Sequence, residues 1–135
     1  MAIKRTSHAR YEIWYHIAWS TKYRKAVWTN EQTRKAVGKL LRKIAAHYDM
    51  EIDTVEVLSD HVHLIVSASP RIAPYRAVQI LKSVSTRALF KHYRWLRSMY
   101  WGGEVWVAGY FIRSIGQYLT KERIQEYIKE QSEEL

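Results

Sequence analysis

Apolar and polar residues alternate between residues 11 and 19, which is the pattern of a β-strand with one buried face. The positions that would share this face are Tyr11, Ile13, Tyr15, Ile17 and Trp19. A basic loop follows at residues 22–25. Residues 51–58 and 61–67 are two further β-prone stretches, and the polar turn between them predicts a hairpin. A fourth strand is predicted from residue 105 to about residue 115.

Other stretches repeat apolar residues at helical spacing. The first follows Thr29 or Asn30, either of which can cap a helix, and its apolar positions are Val37, Leu40, Leu41, Ile44, Ala45 and Tyr48. The second runs from residue 74 to about residue 93, with a predicted buried stripe of Ala77, Leu81, Val84 and Ala88. A last helix is predicted from residue 120 towards residue 135.

This order of elements is β-α-β-β-α-β plus a C-terminal helix, which predicts an α+β fold of the ferredoxin-like (RRM-like) type. In that fold both crossover helices cover one face of an antiparallel sheet. We therefore expect the other face to stay free for a ligand.

The composition fits one domain spanning residues 1–135. The longest apolar run is far shorter than a membrane span, and residues 1–10 lack an apolar stretch of signal-peptide length, so we expect a cytoplasmic protein. The chain has no cysteine, which excludes disulfides, thiolate metal sites and a cysteine nucleophile. Any metal must bind histidine, carboxylate or amide ligands.

An excess of basic residues indicates a polyanionic partner. Lysine plus arginine total 22 against 13 aspartate plus glutamate, giving a formal net charge of +9 and a pI near 9.8. The chain also has six tryptophans and ten tyrosines, and rings beside cations are the groups on which single-stranded bases stack. Some rings could instead belong to a core or to a dimer interface. Charge and aromatic content together favour a nucleic acid partner.

The tetrapeptide His61-Val62-His63-Leu64 lies in the second strand of the hairpin. Alternate side chains of a strand share a face, so Val62, Leu64 and Val66 should pack under the helices while His61 and His63 point to the uncovered side. Two imidazoles at this spacing can share one divalent ion. A pair of partly exposed histidines without function is the alternative, and an isolated His-x-His motif favours that alternative.

In the last helix, Tyr127 and Gln131 lie four residues apart and therefore on one face. A tyrosine has a pKa near 10 and is a poor nucleophile unless a cation polarises its target. If this helix crosses the free sheet face, Gln131 can add a metal ligand and Tyr127 can reach a bound phosphate. The alternative is a plain amphipathic helix, with Ile124, Ile128 and Leu135 opposite Glu122, Glu126 and Glu130.

Three motifs carry a resemblance to a known family. They are YHIAWSTKYR at residues 15–24, DHVHL at residues 60–64 and YIKEQ at residues 127–131. In this order they resemble the HUH-type single-tyrosine transposases (TnpA) of the smallest bacterial and archaeal insertion sequences. The family often has paired glycines before the tyrosine helix, whereas this chain has Gly116 alone.

The resemblance implies Mg²⁺ or Mn²⁺ bound by His61, His63 and Gln131, with Tyr127 attacking a phosphodiester of single-stranded DNA. The products would be a covalent 5′-phosphotyrosine and a free 3′-hydroxyl. The resemblance also implies a homodimer whose sites use the tyrosine helix of the same or the other subunit. Asp60 could orient an imidazole or simply form the hairpin turn. Tyr110 and Tyr118 are competing nucleophiles, but neither has a glutamine four residues later.

Family members recognise DNA hairpins near the ends of the element, so a nucleoid-associated protein is expected when DNA is bound. The candidate DNA contacts are Lys22, Arg24, Arg34, Lys35, Lys39, Arg87, Lys91, Arg94 and Arg97, although each charge could belong to a solvated helix face. Two other functions stay open. One is a non-catalytic single-strand binding module, and the other is a domesticated or replication-type nickase with the same chemistry.

Overall fold

The computed structural model describes residues 3–116, 125–126 and 128–130. Its strands are β1 (Lys4–Arg5), β2 (Arg10–Tyr11), β3 (Trp14–Ser20), β4 (Met50–Val57), β5 (His61–Ala68) and β6 (Phe111–Ile115). Its helices are α1 (Glu31–His47), α2 (Pro74–His92) and α3 (Arg94–Met99), and a 3₁₀ turn covers Lys22–Arg24. Residues 125–126 and 128–130 are also helical. Within these segments, no helix combines the length and the apolar character needed to cross a membrane.

Strands β3 to β6 form one antiparallel sheet in the order β4-β5-β3-β6, and β1 pairs with β2 in a separate ribbon. The predicted hairpin is present as β4 and β5. The predicted succession is also present, as β3, α1, β4, β5, α2 and β6. In the register of β3 against β5, Ala18 lies opposite His63 and His16 lies opposite Ile65. The prediction of a mixed fold on an antiparallel sheet is therefore confirmed.

Helices α1 and α2 cover one face of this sheet. Asn30 caps α1, because its side chain accepts a hydrogen bond from the Thr33 N–H at 2.7 Å. The core beneath the helices includes Ile17, Trp19, Val37, Leu41, Val62, Leu64, Val66, Ala77 and Leu81. Each large apolar side chain buried here contributes roughly 1.5–3 kcal/mol. A one-residue slip of β5 would lose three of them at once, so the core fixes which residues of β5 face the other way.

The structure differs from the prediction in four details. The first long strand begins at Trp14 rather than at residue 11, because Arg10 and Tyr11 pair with β1 instead. Strand β6 begins at Phe111 rather than at residue 105. Trp106 forms only an isolated bridge with Thr21, and the carbonyls of residues 107–109 accept hydrogen bonds from the Lys82 ammonium. The short helix α3 was not predicted, since its six residues are too few for a clear period. In α2, Val84 and Ala88 are only half-buried.

The sheet face opposite to α1 and α2, which was expected to stay free for a ligand, is partly covered. Trp14, Ile65 and Ile128 form a second buried cluster on it, with Ile115 packed against them. Ile128 is 1% exposed and belongs to the helical residues 128–130. Part of the predicted last helix therefore lies on this face. Residues 117–124, 127 and 131–135 lie outside the described residues.

Candidate active site

Three histidines come together on the sheet face opposite to α1 and α2. His61 and His63 project from β5, and His16 projects from the neighbouring strand β3. The ring centroids of His61 and His63 are 5.0 Å apart with nearly perpendicular planes. Those of His16 and His63 are 5.2 Å apart and stacked. The structure thus brings the predicted pair together and adds a third imidazole.

The ring of His61 is held by its neighbour in sequence. Its Nδ1 lies 2.6 Å from Oδ1 of Asp60. Nδ1 therefore carries a proton and donates a hydrogen bond to the carboxylate. Asp60 also lies in the hairpin turn, which is closed by a hydrogen bond from the Leu58 N–H to the His61 carbonyl at 2.8 Å. Both roles considered for Asp60 are therefore compatible with its position. The Nε2 atom of His61 is buried and has no hydrogen-bond partner among the described residues.

His63 is completely buried, and its Nδ1 contacts His16. Its Nδ1 lies 3.0 Å from Nε2 of His16, which is buried as well. Burial first, and then the neighbouring His16 and His61, lower the pKa of His63 to about 3. Burial, followed by the charge of Arg113, lowers the pKa of His16 to about 4. Both imidazoles are thus neutral at neutral pH, which is the form that binds metals.

A cavity of about 290 Å³ opens beside His61, and Arg24, Tyr110 and Phe111 contribute to its lining. The Arg24 guanidinium lies 3.7 Å from the Asp60 carboxylate. A positive charge in the lining of this cavity is suited to attracting an anionic group such as a DNA phosphate.

The two β5 histidines supply some, but not all, of the ligands that a divalent cation needs. Nδ1 of each predicted ligand is engaged, by Asp60 for His61 and by His16 for His63, so both would bind a metal through Nε2. Nε2 of His61 is buried and lacks a hydrogen-bond partner in the part of the chain that the structure describes, which fits a nitrogen that binds a metal. Within the described residues, no group of three or more His, Cys, Asp or Glu side chains is placed to hold a metal ion. A complete site therefore needs another donor.

The predicted nucleophile Tyr127 and the predicted third ligand Gln131 lie outside the described residues, as does Tyr118. Ile128 follows Tyr127 in the chain and packs against Trp14 and Ile65. Ile65 is two residues from His63 on the same strand, so this contact is on the sheet face that carries the histidines.

The nine basic residues predicted to contact DNA do not lie on one surface. Arg24 is beside the histidines. Lys22 lies 3.3 Å from the Glu104 carboxylate, and Arg34 donates a hydrogen bond to the Trp28 carbonyl at 2.9 Å. These two side chains have structural partners that account for their positions.

A groove of about 660 Å³ between α1 and α2 is lined by other basic side chains. Lys39 and Lys43 line it from α1, and Lys91 and His92 line it from α2. We call this the helical groove. The remaining predicted contacts are exposed on the three helices, and they are Lys35, Arg87, Arg94 and Arg97.

His16 is the residue of this site that the sequence reasoning missed. Its signal was the alternation of β3, because placing Ile17 and Trp19 under the helices leaves His16 on the other face. The residue could be assigned to that face from the pattern. Its pairing with His63 needed the register between the two strands.

Comparison with known proteins decides the family. The sequence model of the IS200-like transposases matches residues 9–131. The chain belongs to the IS200-like transposase family. The ISDra2 transposase TnpA of Deinococcus radiodurans is 39% identical over 121 residues, covering 90% of this chain and 85% of that relative. The transposase of insertion sequence element IS200 from Salmonella typhimurium is 33% identical over 131 residues, covering 97% and 84%.

Solved structures agree with this IS200-like assignment. A crystal structure described as a transposase of Deinococcus radiodurans matches with a TM-score of 0.74 and 32% identity, over 95% of this chain and 97% of that one. A REP-associated tyrosine transposase bound to a REP hairpin matches with a TM-score of 0.56 and 15% identity, over 90% and 68%. The second likeness is one of fold. The resemblance drawn from the three motifs is therefore confirmed at the level of the family.

Proposed function

We propose that this IS200-like transposase cleaves and rejoins single-stranded DNA through Tyr127, at a site where His61, His63 and Gln131 hold Mg²⁺ or Mn²⁺. The observation that carries the proposal is the arrangement of the two β5 histidines. His63 is buried and neutral, and His61 is held by the Asp60 carboxylate. The Nδ1 atom of each histidine contacts a neighbouring side chain. Such hydrogen bonds fix the tautomer and orientation of metal-binding histidines.

The Tyr127 oxygen attacks the phosphorus of one phosphodiester, and the bond from phosphorus to the 3′ oxygen breaks. The leaving strand takes the proton as a free 3′-hydroxyl, while the 5′ phosphate stays on the tyrosine. Attack by another 3′-hydroxyl reverses the step, so the number of phosphoester bonds is unchanged and no outside energy is needed. The cation, when bound, supplies the positive charge that polarises the phosphate.

Residues of this chain also account for holding the DNA. Arg24 stands at the cavity beside His61 and can contact the phosphate that reacts. The helical groove lies on the far side of the sheet and presents four basic side chains, which are suited to contacting the phosphates of a nucleic acid backbone. Since a relative in fold is bound to a REP hairpin, we propose that the helical groove contacts a DNA hairpin while the strand to be cut lies at the histidines. Two copies of the chain would form a homodimer.

A non-catalytic single-strand binding module would use the same fold differently. In such modules aromatic rings on the central strands stack on bases. Here the outward positions of β3 and β5 include His16, His61 and His63, which are buried in contact with one another. This arrangement favours a metal site over a stacking platform.

The proposal is tested with a hairpin-containing single-stranded oligonucleotide, Mn²⁺ and a denaturing gel. Because the 5′ phosphate stays on the protein, an oligonucleotide labelled at its 3′ end should give a labelled protein adduct, and one labelled at its 5′ end should give only a shortened strand. The adduct should disappear in Tyr127→Phe and after addition of a chelator.

Tyr118→Phe is the matched control, because it removes the same hydroxyl from a neighbouring tyrosine, and it should retain the adduct. An adduct that persists in Tyr127→Phe would assign the nucleophile to another residue. An adduct that forms equally well in chelator would remove the metal from the proposal.

A further inference from the structure

We propose that His16 is a positioning residue, which accepts a hydrogen bond from Nδ1 of His63 and thereby presents the Nε2 lone pair of His63 to the cation. This inference rests on the proposed metal role of His63. It adds a residue from a different strand, outside the His-x-His motif, to the machinery of the site.

The contact between the two rings is well defined. Nε2 of His16 lies 3.0 Å from Nδ1 of His63, and neither side chain is exposed to solvent. The rings are stacked at 21° between their planes. Phe111 of β6 lies against the ring of His16, with centroids 5.4 Å apart. His16 is therefore packed between two other rings and has little freedom to turn away from His63.

A hydrogen bond between two imidazole nitrogens contains one proton, so one nitrogen donates and the other accepts. If His63 binds a cation through Nε2, that nitrogen must be unprotonated. The proton of neutral His63 then sits on Nδ1 and is donated to Nε2 of His16. His16 in turn must carry its own proton on Nδ1. The metal-binding form of His63 is thus the one that His16 can stabilise as an acceptor.

The same logic holds for the other ligand, because Asp60 accepts the Nδ1 proton of His61 at 2.6 Å. Each proposed ligand has its own acceptor, a carboxylate for His61 and an imidazole for His63. Loss of such a partner typically costs about 10- to 100-fold in metal affinity. His16 should therefore matter to the affinity for the cation without touching it.

Two substitutions separate positioning from packing. His16→Gln keeps an acceptor oxygen near the position of Nε2, whereas His16→Phe keeps a flat ring and removes the acceptor. His47→Phe is the control for loss of a histidine, because His47 lies exposed at the end of α1. Thermal unfolding of each variant shows that it is folded before it is compared.

The first measurement is ¹⁵N NMR of histidine-labelled protein without metal. We expect His63 to be protonated at Nδ1 and not at Nε2 in the wild type and in His16→Gln. In His16→Phe we expect a mixture of both tautomers. A wild-type His63 that carries its proton on Nε2 would overturn the inference without any reference to metal.

The second measurement is the Kd for Mn²⁺, obtained from the electron paramagnetic resonance signal of the free ion. We expect a Kd at least about 10-fold higher in His16→Phe, and values close to wild type in His16→Gln and His47→Phe. If the wild type binds Mn²⁺ and a folded His16→Phe binds it equally well, the positioning role of His16 is contradicted, while the proposed metal function stands. If the wild type does not bind Mn²⁺, the proposed metal function fails and the positioning role fails with it.

Discussion

At the scale of single residues, the site depends on imidazoles that are buried without charge. His16 and His63 have no solvent contact, and burial together with neighbouring charges lowers the pKa of His16 to about 4 and that of His63 to about 3. In the unfolded chain both would titrate near the ordinary value of about 6.5. Below that pH the unfolded chain therefore binds more protons than the folded one, and acid must destabilise the fold.

The expected result is a free energy of unfolding that falls as the pH drops from about 6.5 towards 4, with a slope of up to about 1.4 kcal/mol per pH unit for each of the two histidines. Above pH 6.5 these residues should cause no pH dependence. Urea denaturation of chelator-treated protein at pH 7, 6 and 5 measures the slope. His16→Gln removes one titrating group and should flatten it, and an equal slope in this variant would contradict the pKa assigned to His16.

The side chains of the site were predictable where their placement followed from the alternation of side chains along one strand. The pairing of His61 and His63 on one face required only the period of a strand and the apolar run of Val62 and Leu64 between and after them. Their burial was not predictable in this way. The groups that cover this face, including Phe111 and Ile128, come from distant parts of the chain, so no local pattern records the contact.

At the scale of elements, the 3₁₀ turn Lys22–Arg24 is the strained connection next to the site. Tyr23 and Arg24 both have left-handed backbone angles, with φ of 62° and 52°, which costs a non-glycine residue about 1–2 kcal/mol. The Tyr23 ring is 74% exposed, and the ammonium groups of Lys22 and Lys25 lie 5.6 and 5.7 Å from its centroid. An exposed ring between two cations is suited to stacking on a base.

We therefore expect Tyr23→Gly to weaken binding of single-stranded DNA by about 5- to 100-fold, the loss of about 1–3 kcal/mol of stacking. Its stability should be unchanged or up to about 1 kcal/mol higher, because glycine relieves the left-handed strain but adds freedom to the unfolded chain. Fluorescence anisotropy with oligo(dT) and urea denaturation measure the two effects. Tyr23→Ala is the control that loses the ring and keeps the strain, and unchanged affinity in both variants would remove Tyr23 from the DNA surface.

Element prediction succeeded where a long amphipathic pattern had one interpretation, as in α1 and in the β4–β5 hairpin. It failed between residues 105 and 110, where β-branched and aromatic residues suggested a strand. There Trp106 forms an isolated bridge with Thr21, and the Lys82 ammonium of α2 binds the backbone carbonyls of residues 107–109. A side chain 25 residues away from Val107 thus contributes to the local backbone, and strand propensity alone cannot reveal it.

At the scale of the whole molecule, the sheet separates two surfaces. The helical groove lies on the side of α1 and α2 and carries Lys39 and Lys91. The histidines lie on the other side, where Phe111 packs against the ring of His16 and Ile128 packs against Trp14 and Ile65. Because a four-stranded sheet and its core stand between them, substitutions in the helical groove should leave the geometry of the histidines unchanged. Recognition of a hairpin and cleavage of a strand are then separable by mutation.

The double substitution Lys39→Gln/Lys91→Gln tests this separation. Two lost phosphate contacts should reduce the slope of log K against log salt concentration by about 2 and weaken hairpin binding. The adduct formed with saturating short single-stranded DNA should stay at the wild-type level, because Arg24 and the histidines are untouched.

The control Arg5→Gln/Arg10→Gln removes the same charge from the facing pair of the β1–β2 ribbon. An equal loss of hairpin affinity in that control would mean that net charge alone binds the DNA, and loss of the adduct in the groove variant would mean that the two surfaces are coupled.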